Sequence, residues 1–277
     1  GRCEGIFTPC GRGVVRLGAR GPPAWFPAGL ALLGRGLAVP ARAWIPNHRT
    51  RPARILTGAR PRPRRAYRLS ELTQDIVKLI EVAGLGPVHL VGHDWGAAVA
   101  WEVAAKRPDL LRSLTALSVP HPGAFAAAMF TSSQALRSWY MVFFQLPWLP
   151  EREISSGQSW QHRLRSTGMS AKAAARDAEL MREHGAARGA LNWYRAMMFC
   201  SPLALRAKIT VPTLYLWSDG DMAIGPKGGA LTPPFVSCPF PSDVLHGVRH
   251  WLPDEVPEQL DALVAKHFAA PPAYGVY

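Results

Sequence analysis

Lysine and aspartate are both missing from the first 66 residues of this 277-residue chain, and Glu4 is the single acid there. Those residues carry 13 Arg against one acid (+12), and the other 211 carry 19 Lys+Arg against 18 Asp+Glu (+1), which together give the chain's +13. The basic charge therefore belongs to the first quarter alone. A body so close to neutral excludes the continuous basic face of a nucleic-acid-binding protein, and no nucleic-acid partner is expected. Cysteine is scarce: Cys3, Cys10, Cys200 and Cys238 form no CxxC pair and have no histidine at metal spacing. That excludes a disulfide framework, leaves no metal ligand set to propose, and suits free thiols in a reducing compartment. Long apolar runs are lacking too. The longest, residues 24–40, is interrupted by Pro27, Gly29, Gly34, Arg35 and Gly36. It is too short and broken to cross a bilayer, and it has no clean apolar core with a cleavage site. The chain is read as cytoplasmic, with no membrane partner.

What is present is a chain of ordinary hydrophobic content, 48%, long enough for one large domain or a core with a smaller lobe. Residues 1–66 are rich in Arg, Pro, Gly and Ala, hold no lasting amphipathic period, and read as a linker-like or disordered segment. The character changes at Ala66-Tyr67. Ser70 is placed to cap a helix, with Leu72, Ile76, Leu79 and Ile80 at i, i+4, i+7 and i+8 carrying it to Ala83. Gly84-Leu85-Gly86-Pro87 ends it. Val88-His89-Leu90-Val91 reads as a buried parallel strand, Ala97 to Arg107 as a helix and Leu114 to Val119 as a second strand. This alternation predicts an α/β fold with a mostly parallel sheet.

From residue 121 to 206 helical segments follow one another without a strand: Ala124–Phe130, Gln134–Phe144, Ala171–Glu183 and Gly189–Phe199. They predict an inserted helical cap. The α/β pattern resumes with the strand Pro212–Trp217 and closes with a helix from Val256 to Phe268. The expected organisation is an atypical segment over 1–66, core over 67–120, cap over 121–206 and core over 207–277.

The chemistry concentrates at Val91-Gly92-His93-Asp94-Trp95-Gly96. A strand leads into Gly-x-Asp-x-Gly and then into a helix of small residues. This is the context of a nucleophile elbow, a strained turn that lifts one side chain above the sheet edge. A serine there must lose a proton before attacking an acyl carbon, whereas a carboxylate is already ionised and can displace at a saturated carbon. The resulting alkyl ester needs a general base, usually His, oriented by an acid. Both follow in the expected order. Asp219 and Asp221 lie after the 212–217 strand, with Asp221 preferred as the acid and Asp219 assigned to the turn, and His250 precedes the last helix. The Trp95 N–H is the expected oxyanion donor.

From Tyr67 to Phe268 the chain resembles the α/β-hydrolase-fold epoxide hydrolases, relatives of the haloalkane dehalogenases. The likeness is carried by Gly92-His93-Asp94-Trp95-Gly96, Val119-Pro120-His121-Pro122, Trp139-Tyr140 with Phe143-Phe144-Gln145-Leu146-Pro147, Leu191-Asn192-Trp193-Tyr194-Arg195, the Asp221 loop and His250-Trp251. The resemblance implies that Asp94, Asp221 and His250 are catalytic. It also implies that Tyr140 and Tyr194 hydrogen-bond the epoxide oxygen. Trp139, Phe143 and Trp193 are expected at the pocket wall or in the lid, and His93 is expected to support the elbow. The implied partners are a small apolar epoxide and water; no cofactor or metal is called for, and a homodimer is allowed.

Two features of the family are not found in residues 1–66: an HGxP loop supplying the second oxyanion N–H, and a strand ending near DxRGxG. The Arg, Pro, Gly and Ala bias and the near absence of acids motivate the hypothesis that the segment is an out-of-frame reading of a GC-rich gene joined near Ala66. Loss of those two features would leave a sheet edge open and one oxyanion donor absent. Two alternatives therefore stand beside epoxide hydrolysis: haloalkane dehalogenation, with the Trp95 indole on the halide, and an inactive α/β-hydrolase remnant.

Overall fold

The computed structural model describes residues 60–84 and 86–270, together with backbone strands at 7–10, 14–17 and 30–33. The other expectations placed on residues 1–59 lie outside the described residues.

Seven strands are described. A two-stranded antiparallel ribbon joins β1 (Phe7–Cys10) to β2 (Val14–Leu17). The main sheet has the order β3 (Leu30–Leu33), β4 (Val88–His93), β5 (Leu111–Leu117), β6 (Thr213–Ser218) and β7 (Ser242–Leu245). The strands from β4 to β7 run parallel, and β3 pairs antiparallel with β4. The expected open edge beside the elbow strand is thus covered, because Leu30 to Leu33 pair with Gly92 to His89.

Helix α1 (Leu69–Ala83) buries Leu72, Ile76 and Ile80, the stripe read from the sequence, and ends on Gly84 at φ 63°, a left-handed stop that glycine adopts without strain. Its start differs from expectation. Arg68 occupies the cap position and Ser70 lies inside the first turn, because Tyr67, 1% exposed, anchors the chain in the core just upstream. Helix α2 (Trp95–Lys106) buries Gly96, Ala97, Val99, Ala100, Trp101, Val103 and Ala104. Small residues on its sheet side let it lie close to β4.

Between β5 and β6 the chain is helical: α3 (Pro122–Thr131), α4 (Gln134–Arg137), α5 (Trp139–Phe143), α6 (Leu149–Ile154), α7 (Gln158–Ser166), α8 (Ala171–Met181) and α9 (Ala186–Arg195). The single helix expected over 134–144 is divided at Ser138, whose backbone (φ −91°, ψ 12°) leaves the helical path. Helices α6 and α7 had no sequence signal strong enough to be read. Then come α10 (Pro226–Ala230), α11 (Leu252–Glu255) and α12 (Pro257–Ala269). Among the described residues no helix is long and apolar enough to cross a membrane.

Candidate active site

The carboxyl ends of β4 and β6, the loop after β7 and the helices above them enclose one site. Asp94 sits at φ 52°, ψ −122°, a backbone conformation rare outside glycine. Its neighbours explain how the turn closes. A Cβ on Gly92 would lie 2.6 Å from the Gly96 carbonyl carbon and 2.7 Å from the Ala97 nitrogen, so any side chain there would force the strand and helix apart. The Asp94 N–H donates to Leu117 O at 3.2 Å, and Asp94 O accepts from the N–H groups of Ala97 and Ala98 at 2.9 and 3.2 Å. The carboxylate is left to face a cavity of about 320 Å³.

Asp221 lies on the loop after β6 and is 1% exposed. Its Oδ1 accepts the backbone N–H groups of Ala223 (2.8 Å) and Ile224 (3.0 Å), and its Oδ2 accepts His250 Nδ1–H at 2.8 Å. Burial works against this carboxylate, but the facing imidazole and the two N–H donors outweigh it and hold its pKa below the usual range. Burial likewise disfavours the imidazolium of His250. Asp221, bonded to it, and Asp94 and Glu255 nearby reverse that and raise His250 to about 9. The other ring nitrogen, Nε2, stands 3.9 Å from Asp94 Oδ1, aimed at the carboxylate but beyond hydrogen-bond reach. Asp94 itself is pushed up by burial, a push opposed by His250 and by the Trp95 backbone N–H beside it.

The His250 loop is held at three successive carbonyls. Gly220 N–H donates to Val248 O at 3.1 Å, Ser218 Oγ–H to Arg249 O at 2.9 Å, and His93 Nε2–H to His250 O at 2.9 Å. His93 therefore lies behind the His250–Asp221 pair rather than in the pocket. Burial, followed by the charge of His250, lowers its pKa to about 3, so it stays neutral. Asp219 serves the neighbouring turn instead. Its carboxylate accepts Gly247 N–H at 2.8 Å and pairs with His246 at 2.8 Å on the surface.

Above Asp94, Tyr140 of α5 and Tyr194 of α9 line the same cavity, with ring centroids 5.9 Å apart. Burial first, then nearby groups including Asp94, raise both phenols well above 10, so each is a proton donor and not a phenolate at neutral pH. Trp95 and Trp193 also line the cavity, their rings edge to face at 5.6 Å. Trp139 is a correction to the expected pocket wall: it is 63% exposed and does not line the cavity. Adjacent helical residues point about 100° apart, so turning Tyr140 inward turns Trp139 outward. Phe143 lies behind the cavity, packed on Phe144 at 5.8 Å.

Several contributors escaped the sequence reading. Pro122, Phe125, Ala126, Met129 and Phe130 of α3 form one cavity wall. Their i, i+3, i+4, i+7, i+8 spacing was a readable signal. Gln134, Arg137 and Glu151 carried none, since their roles lie in contacts between segments far apart in the chain, and Arg195, though part of a family-like stretch, was given no role. Among the described residues no cluster of three His, Cys, Asp or Glu is placed to hold a metal.

With this geometry in place, comparison with known proteins decides the family. The sequence pattern of the alpha/beta hydrolase fold family matches residues 56–233. The chain belongs to that family. The match begins ten residues upstream of the boundary at 66, where Arg60 already pairs with Glu183 at 2.7 Å. This alpha/beta hydrolase is 31% identical over 216 residues to human Epoxide hydrolase 4, covering 74% of this chain and 59% of that protein. It is 30% identical to the AB hydrolase superfamily protein YfhM of Bacillus subtilis, covering 73% of each. The chain spans about three fifths of the length of human and mouse Epoxide hydrolase 4 and of Epoxide hydrolase 2 of Caenorhabditis elegans, 57–60%. In fold it is similar to a solved epoxide hydrolase from Bacillus megaterium in complex with an inhibitor, with TM-score 0.65, 24% identity, and 76% and 79% of the two chains covered.

Proposed function

We propose that this alpha/beta hydrolase opens epoxides to vicinal diols through a covalent ester on Asp94. The observation that carries the reading is one apolar cavity with the Asp94 carboxylate at its floor and the Tyr140 and Tyr194 rings at its roof, and with the His250–Asp221 pair set beside Asp94, His250 Nε2 3.9 Å from its carboxylate.

The proton count closes on these residues. At rest Asp94 is ionised, His250 is protonated and both tyrosines are neutral. An Asp94 oxygen attacks an epoxide carbon, the C–O bond breaks, and the departing oxygen takes a proton from Tyr140 or Tyr194. Esterification erases the Asp94 charge, one of the influences that raise His250. The imidazolium then returns a proton to the tyrosinate, the stronger base, and becomes the neutral base the second step needs. His250 Nε2 removes a proton from water, and the hydroxide adds to the Asp94 carboxyl carbon. The oxyanion meets the Trp95 N–H, and on collapse the C–O bond to the alkyl group breaks while the added hydroxyl's proton passes to the departing oxygen, which releases the diol and leaves Asp94 ionised and His250 protonated as at rest. A helical cap over 121–206 presents the tyrosines, and the α3 wall selects an apolar epoxide substituent.

Purified protein incubated with styrene oxide is expected to yield the diol. Chloride release from a chloroalkane with no diol would favour dehalogenation instead, and turnover of neither would favour the inactive remnant.

A further inference from the structure

The structure places one side chain at the junction of the two halves of the site. Gln134, at the start of α4, is 2% exposed. Its Oε1 accepts the Gly225 N–H at 2.7 Å, and its Nε2 donates to Ala223 O at 2.7 Å and to Ser138 Oγ at 2.9 Å. The amide has one possible orientation, because an N–H can only face the oxygen and a carbonyl can only face the nitrogen.

These contacts reach two catalytic groups. On one side, the 223–225 backbone donates its other N–H groups to Asp221 Oδ1, from Ala223 and Ile224. Arg137, one turn along, donates Nη1–H to Asp221 O at 2.9 Å. On the other side, Ser138 begins the turn of α5 that carries Tyr140. The same amide therefore fixes the conformation of the acid loop and the entry of the tyrosine helix. Ile224, on the loop so held, lines the cavity together with Asp94 and Tyr140.

We infer that Gln134 is a positioning residue that locks Asp221 and Tyr140 into one register over Asp94. This rests on reading Asp221 as the acid and Tyr140 as a proton donor. A bonded amide serving two elements moves both reaction steps together: ester formation through Tyr140, and ester hydrolysis through His250 and Asp221. Arg137, which is exposed and touches only the acid side, affects the second step alone.

The test uses Gln134→Leu and Arg137→Met in the full chain, with two readouts. Single-turnover kinetics with styrene oxide separate the rates of ester formation and ester hydrolysis. NMR titration of the His250 ring, which faces Asp221, Asp94, Glu255 and His93, needs no substrate. For Gln134→Leu both rates are expected to fall about 10-fold, the effect of misplacing two groups by less than an ångström, and the His250 midpoint is expected to drop as Asp221 loosens. For Arg137→Met hydrolysis is expected to slow about threefold with ester formation unchanged, a loss equivalent to one weakened hydrogen bond. A folded Gln134→Leu protein with wild-type rates and a wild-type His250 midpoint overturns the inference. If Gln134→Leu does not fold, wild-type hydrolysis and an unmoved His250 midpoint in Arg137→Met overturn it. Failure of the wild type to form diol, with the His250 midpoint displaced in Gln134→Leu, instead sinks the reaction reading and leaves the acid-side positioning standing.

Discussion

The elbow around Asp94 and the helical roof around Tyr140 and Tyr194 place their key side chains by different physical means. At the elbow the backbone does it. A strained φ of 52°, a glycine that admits no Cβ and a helix of small residues fix Asp94 through main-chain geometry. In the roof, polar side chains do it. Gln134 and Arg137 tie α4 to the acid loop. Arg195, next to Tyr194, donates to Phe144 O at 2.9 Å, Leu146 O at 2.6 Å and Glu151 Oε2 at 3.0 Å, binding α9 to the segment that follows Tyr140. Backbone placement tolerates no side chain at its glycines, while side-chain placement fails one bond at a time.

Four substitutions or conditions would break or sharpen that contrast. Asp94→Asn keeps the elbow's shape and removes the proposed nucleophile. Diol formation should fall at least about 10⁴-fold, as for lost nucleophiles in other covalent hydrolases, with an unchanged melting curve. A parallel loss of stability would show that the carboxylate, and not the backbone, holds the turn. Gly92→Ala should destabilise by about 3 kcal/mol or prevent folding, the upper range for overpacking, because strand and helix backbones meet there and neither can step aside. Chemical denaturation reads this, and a neutral result would refute the steric account.

The His250–Asp221 pair should give stability a pH dependence. His250 has an ordinary pKa of 6.5 and a folded pKa of about 9. A raised histidine stabilises the folded state fully below pH 6.5 and loses that contribution as pH climbs through 9. The size is at most about 3 kcal/mol, from 1.36 kcal/mol per pKa unit. His250→Gln should flatten the unfolding free energy between pH 6 and 9.5, and an undiminished slope would place the titrating group elsewhere. The smallest effect is expected in the roof. Glu151→Gln leaves the buried Arg195 guanidinium without its anion while keeping an acceptor, which should cost about 2 kcal/mol, less than outright loss of a buried pair. Because the loss falls on the roof, it should slow ester formation more than ester hydrolysis.

The same contrast explains what could be read before any coordinates. Gly92, Gly96 and the small residues of α2 announce a strained strand-to-helix turn, since glycine spacing is local and steric. Asp221 after the 212–217 strand and His250 before the last helix could be picked out by chain order, and the structure brings the two side chains to 2.8 Å. The break of the 134–144 helix at Ser138 was not legible, since the side chains around it bond across the fold, Gln134 to Ala223 O 89 residues ahead and Arg137 to Asp221 O. Trp139 was misplaced although the signal was local: once Tyr140 faces the cavity, its helical neighbour must turn away. The α3 wall was legible in its spacing yet went unread, because an alanine-rich helix looks like filler until a cavity lies beside it.

The central claim is that Asp94 forms an ester that water cleaves at the carboxyl carbon. A single turnover of styrene oxide by excess enzyme in ¹⁸O-water, followed by mass spectrometry of the Asp94 peptide, tests it directly. One ¹⁸O is expected in the Asp94 carboxylate and none in the first diol released. Label in the diol with an unlabelled Asp94 would mean that water attacked the epoxide itself and would contradict the covalent route.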